Sequence, residues 1–190
     1  MDTNDVVKKQ TVYLIVIIAL IVGFLCGVLY SVYRAPANTG ATHPHPKSDR
    51  AHILAALEQA TREHPDDAKV WAELGHAYSD TGQTEKAIQV YTRALELRPG
   101  DADIMTDLGV MYHENQQHES AIALFEEVLQ KHPDHLQARF NKGVVLLVGL
   151  NKPDETIVEW KTLLRYHPEA SASSGRSVRE LIKQLEEMKQ

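Results

Sequence analysis

"HPDDAKVWAELGHAYSDTGQTEKAIQVYTRALELRP" occupies residues 64–99 and reads as two helices that form a hairpin. Trp71, Leu74 and Tyr78 stand at i, i+3 and i+7, which is one face of a first helix. Gly75, in the middle of that helix, costs about 1 kcal/mol in propensity, so a packing reason is expected. Having no side chain, it lets a neighbouring helix come close. Ala87, Tyr91 and Ala94 carry the apolar face onto a second helix, with the alanines as contact points. Pro99 then ends that helix, because proline disfavours helical backbone at the residue before it.

The same pattern returns 34 residues later as Met105, Leu108, Gly109, Tyr112, Ala121, Phe125, Val128 and Pro133. A third copy keeps Gly143 and Leu146, then Thr156, Trp160, Leu163 and Pro168. It needs one extra residue between Gly143 and Thr156, in "VGLNKPDE", and a loop is the expected place for it. Size, glycine and small-residue positions recurring together at one period resemble the tetratricopeptide (TPR) family over residues 68–170. The resemblance implies an all-α solenoid of helical hairpins with repeats at residues 68–101, 102–135 and 136–170. A single hairpin cannot bury its apolar side alone, so such units stack and their ends need caps. Residues 49–66 supply one, a half repeat in which Ile53, Leu57 and Ala60 precede Ala87, Tyr91 and Ala94 by one period. Residues 177–190 supply the other. There Ser177 and Glu180 form a capping box before Val178, Leu181, Ile182, Leu185 and Met188, with Arg179, Lys183, Glu186 and Glu187 facing water.

Ahead of the repeats, residues 11–33 read "TVYLIVIIALIVGFLCGVLYSVY" without a charge. As a helix rising about 1.5 Å per residue, this run covers the roughly 30 Å hydrocarbon core. Tyr13, Tyr30 and Tyr33 sit near its ends, where amphipathic rings favour the membrane interface. "APA" at residues 35–37 resembles a cleavage site, but a cleaved leader has an apolar region of only about 7–15 residues, so an uncleaved transmembrane anchor is expected. Gly23, Gly27 and Ser31 place small residues on one face of the span, a spacing that lets two such helices dimerise. Residues 1–10 form a short head and residues 34–48 a Pro-, Ala- and Thr-rich linker. Lys8 and Lys9 abut the span, while Arg34, Lys47 and Arg50 follow it. The short head with its adjacent lysines favours a cytoplasmic N-terminus, with the repeats on the far side of the inner membrane.

Composition narrows the function. Setting aside Asp2, Asp5, Lys8, Lys9 and Arg34, residues 35–190 carry 17 Lys and Arg against 24 Asp and Glu. That sign disfavours nucleic acid. The single cysteine, Cys26, lies in the apolar run, so the rest of the chain forms no disulfide. No Cys-x-x-Cys-His is present for covalent haem, and no phosphate loop, nucleophile elbow or redox Cys-x-x-Cys appears. Histidines are plentiful but poorly arranged for metal. His43 and His45 stand in the linker, and His132 and His135 flank a repeat junction. His64, His132 and His167 recur because each precedes a repeat-closing proline. His113 and His118 are five apart with a turn expected between them, whereas a zinc protease needs histidines four apart on one helix. Neither a catalytic residue, a metal ligand nor a cofactor is assigned. The paired carboxylates Asp66–Asp67 and Glu126–Glu127 read as solvated surface.

In TPR proteins the first helices line a groove that takes peptides. Carried over position by position, the resemblance implies contacts from Lys69, Ala72, Glu73, His76, Ser79 and Asp80 in the first repeat. The second contributes Asp103, Thr106, Asp107, Val110, His113 and Glu114, and the third Gln137, Phe140, Asn141, Val144, Leu147 and Val148. In the third repeat Arg139 and Lys142 replace the large residue and the leucine of the pattern, and Val144 and Leu147 read equally as core. Ala72 and His76 stand where the chaperone-tail receptors of the family carry Lys and Asn, so a clamp of that kind is disfavoured. The lining grades from polar and acidic to apolar, which suits an amphipathic segment. The whole plan also resembles the anchored TPR subunits of bacterial cytochrome c maturation systems, which hold apocytochrome for haem attachment. That resemblance implies a membrane-tethered scaffold for a protein partner. The alternative is the same module facing the cytoplasm and recruiting proteins to a pilus, secretion or envelope complex.

Overall fold

First helices begin at Ala68, Ala102 and Leu136, successive offsets of 34 residues. The computed structural model describes residues 47–188, all helix and connecting turns apart from one isolated bridge between Ser171 and Ser177. The helices are α1 (Lys47–Glu63), α2 (Ala68–Asp80), α3 (Thr84–Leu97), α4 (Ala102–Glu114), α5 (His118–Lys131), α6 (Leu136–Val144), α7 (Pro153–Tyr166) and α8 (Val178–Glu187). Among the described residues no helix is long and apolar enough to cross a membrane. The expected span at residues 11–33, with Gly23, Gly27 and Ser31, lies outside them, as do His43 and His45.

The described chain divides into two units, one ending at Asn151 and the other starting at Lys152. In the first, α1 to α6 pack each on the next, giving an all-α TPR-type stack. Its interior joins Leu74, Tyr78, Ala87, Tyr91 and Ala94 to Ile104, Leu108 and Met111. A second cluster holds Met105, Ala121, Phe125, Val128, Ala138 and Val145. In the other unit α7 packs on α8, and Trp160, Leu163 and Val178 are almost wholly enclosed. The Ser177–Glu180 capping box forms at the start of α8.

Local chemistry explains the boundaries. Arg98, His132 and His167, each before a proline, adopt nearly the same extended backbone (φ −134, −129 and −130°), which ends α3, α5 and α7. Asp67 and Asp101 cap α2 and α4 by accepting from the backbone N–H of Lys69 and Ile104. The glycine expectation holds. A Cβ on Gly75 would lie 2.5 Å from Cε1 of Tyr91, and one on Gly109 would lie 2.6 Å from Cε1 of Phe125. Each glycine is the seat of the ring from the second helix of its own repeat.

Two expectations need correction. Ile53, placed on the packing face by analogy with the fully buried Ala87, is 52% exposed. Among the described residues α1 has α2 beside it and no helix ahead of it, and Ile53 lies on the side that α2 leaves open. The extra residue of the third repeat is not in the loop either. The turns span residues 81–83, 115–117 and 150–152, all of three residues, with left-handed centres at Gly82, Gln116 and Asn151 (φ 70, 61 and 53°). The insertion is taken up as a π-helical turn, Val145–Gly149, where Leu150 N–H donates to the Val145 carbonyl at 3.1 Å. The turn geometry is kept and the helix widens instead.

Candidate partner-binding face

The residues carried over from the family pattern are held by α2, α4 and α6. On α2, Lys69 pairs with Glu73 at 3.8 Å, and both side chains are exposed. His76 reaches across to α4, where its Nε2 lies 2.9 Å from Oδ2 of Asp107. That carboxylate raises the His76 pKa, opposed by partial burial and aided by Asp80 and Glu73. The His76 ring also meets Tyr91 edge-on at 5.6 Å between centroids. Tyr78, behind this face, donates its hydroxyl to Glu58 of α1 at 2.7 Å; burial, then that bond, push its pKa up to about 12. Ser79 is half-buried, and Asp80 is exposed.

On α4, Asp103 is exposed and lies 3.3 Å from Nε2 of His135. Val110 is half-buried against the core, and Glu114 is exposed. His113, at the end of α4, meets His118 at the start of α5, with Nδ1 atoms 2.9 Å apart. The turn between them therefore brings the two rings together rather than parting them. Burial, and then the neighbouring imidazole, lower the His113 pKa to about 4. The His118 ring rests against the backbone of Gly149, where a Cβ would come within 2.7 Å of its Cγ. Among the described residues no group of three or more His, Cys, Asp or Glu side chains could hold a metal ion.

Three carried-over positions turn inward. Ala72 is 8% exposed, Leu147 is 8% exposed, and Thr106 is 2% exposed, its hydroxyl donating to the Ala102 carbonyl at 2.7 Å. They pack rather than line a surface. For Leu147 the cause is the π turn. Counted back from the left-handed Asn151, Leu147 takes the place of Tyr78, and Val148 that of Ser79. On α6, Gln137 is exposed, while Phe140, Asn141 and Val144 are half-buried, as is Val148 in the π turn that follows. The unusual residues of the third repeat are accommodated by polar contacts. Arg139 donates to the Pro133 carbonyl at 2.9 Å, six residues back, as Trp71 Nε1 donates to the Pro65 carbonyl at 3.0 Å. Lys142, only 14% exposed, pairs with Glu126 at 2.9 Å.

Sequence reasoning passed over His135. It occupies the cap position held by Asp67 and Asp101 one and two periods earlier, and its Nδ1 accepts from the Ala138 N–H at 3.1 Å. With Nδ1 accepting, Nε2 carries the ring N–H and donates it to Asp103. The signal was present in the Asp, Asp, His series at 34-residue spacing.

Residues 33–173 match the family described as the cytochrome c-type biogenesis protein H TPR domain. The chain belongs to this family. Among curated proteins no match is found. Several solved structures share the fold. A crystal structure of MamA protein gives a TM-score of 0.57 at 22% identity, covering 63% of this chain and 65% of that one. This chain thus spans about two thirds of that protein's length. Another crystal structure of MamA gives 0.61 at 16% identity, covering 75% and 90%. The first TPR of Spaghetti (RPAP3), bound to the HSP90 peptide SRMEEVD, gives 0.57 at 17% identity, covering 64% and 94%. The fold is thus that of a TPR domain, a type of module that serves as a protein-interaction scaffold.

Proposed function

We propose that this protein is a membrane-tethered TPR scaffold that holds a segment of apocytochrome c during maturation, on the far side of the inner membrane. The observation that carries the reading is the family match over residues 33–173. The side chains agree with it. The accessible part of the first-helix face runs from Lys69, Glu73 and His76 through Asp103 and Asp107 to Phe140, Val144 and Val148. A polar and acidic end followed by an apolar end accommodates one amphipathic helix, its charges meeting α2 and α4 and its apolar stripe meeting α6. The apolar run at residues 11–33 supplies the tether.

The test is a titration of the full chain in detergent with peptides from the C-terminal helix of apocytochromes. Binding is expected to be saturable and to weaken in Phe140→Ala. An unchanged affinity in Phe140→Ala and Val144→Ala variants of native helicity, or no binding at all, refutes the reading. Protease added to intact spheroplasts tests the topology, and a repeat domain that stays protected until lysis places it in the cytoplasm instead.

A further inference from the structure

Two histidine–aspartate contacts meet α4 in the Asn151-terminated unit, one from α2 and one from the cap residue of α6. His76 of α2 reaches Asp107 of α4 at 2.9 Å, and His135, ahead of α6, reaches Asp103 of α4 at 3.3 Å. Asp103 and Asp107 are i and i+4, so α4 receives both from one face. The two contacts differ in kind. His135 spends its Nδ1 lone pair on the backbone cap of α6, accepting from the Ala138 N–H. Among the described residues no backbone bond competes for His76 in this way, and its surroundings are anionic. Asp107 faces it from α4, Glu73 and Asp80 flank it on α2, and the Tyr91 ring of α3 abuts it.

We propose that the His76–Asp107 contact is a pH-operated latch between the first two repeats, tightening the first-helix face on acidification. The latch goes beyond the scaffold function and stands whatever the partner is. Its sign follows from linkage. The His76 pKa is raised above 6.5 in the folded chain, so the added stability is fully present below 6.5 and lost as pH rises through the higher folded value. Both side chains are more than a third exposed (57% and 38%), so solvent screens the pair. The folding equilibrium constant should therefore rise only about 1.5- to 5-fold on going from about pH 8 to about pH 6.

The experiment uses the full chain in mild detergent. Proton NMR of the imidazoles, with His76 identified by its loss in His76→Gln, should give a His76 midpoint above 6.5 that falls in Asp107→Asn. Urea titrations should show the 1.5- to 5-fold acid gain in the parent and not in His76→Gln. An acid gain that persists in His76→Gln, or a His76 midpoint unmoved by Asp107→Asn, overturns the latch. Amide exchange read in the same samples gives an independent check. Protection in α2 and α4 should rise on acidification in the parent alone, and an equal rise in His76→Gln also overturns it.

Discussion

Gly75→Ala separates two forces that predict opposite signs. On helix propensity alone the variant should be more stable by about 1 kcal/mol, since alanine replaces glycine inside α2. Packing says otherwise. The new methyl would sit 2.5 to 2.7 Å from three carbons of the Tyr91 ring. Carbon atoms prefer about 3.5–4.0 Å, so the ring must retreat by roughly 1 Å. Tyr91 is 1% exposed and has nowhere to go without shifting α3. Overpacking of this kind costs about 1–3 kcal/mol, and a forced backbone shift costs more. Because Tyr91 can yield only with α3, the cost falls in the upper part of that range, about 2–3 kcal/mol, and with the propensity gain set against it a net loss of about 1–2 kcal/mol is expected. Urea unfolding followed by far-UV circular dichroism measures it. Tyr91→Leu should relieve the clash, so the double variant should be at least about 1 kcal/mol more stable than additivity predicts. A Gly75→Ala protein as stable as the parent, or more so, would refute the account of the glycine as a ring seat.

Four further outcomes can be checked. Gln116→Gly relieves a left-handed side chain worth about 1–2 kcal/mol against an unfolded-state entropy cost of about 0.4–1 kcal/mol, so a small rise in urea midpoint is expected. Asp101→Ala removes the cap of α4 and should cost about 1 kcal/mol by the same assay, with Asp101→Asn nearly neutral. The His113 pKa is lowered to about 4, so its contribution is present above 6.5 and lost as pH falls toward 4. His113→Gln should therefore lose less stability than the parent across that window, as acid titration of both proteins would reveal. His135→Asn retains a capping side chain while His135→Ala does not, so only the latter should lose protection of the Ala138 amide in hydrogen exchange.

Much of the fold was legible in the sequence because the repeat states it more than once. Trp71, Leu74, Gly75 and Tyr78 mean little alone, but Met105, Leu108, Gly109 and Tyr112 at the same spacing turn them into packing positions. The prolines marked the ends of second helices because their effect on the preceding residue is local. What escaped was set by tertiary geometry. Nothing in the period distinguishes an accessible Glu73 from the buried Ala72 and Thr106, because both kinds stand on α2 and α4. The reach of His76 to Asp107 joins residues 31 apart, a separation that periodicity treats as unrelated. The location of the inserted residue depended on whether a helix or a turn is easier to deform. Three residues with a left-handed centre proved the more conserved geometry within this chain.

The π turn at Val145–Gly149 acts as a phase shift within one helix. Positions ahead of it count forward from the start of α6, and positions behind it count backward from Asn151, so the two rulers disagree by one. A residue inserted in a helix normally turns everything beyond it by about 100°, yet here the following turn keeps the shape it has in the other repeats. The extra residue is taken up within the five residues Val145–Gly149. Any comparison that parks this gap in the loop will give Leu147 a surface role that the widened turn takes away, and will set Val148 at the place of Asp80 instead of that of Ser79.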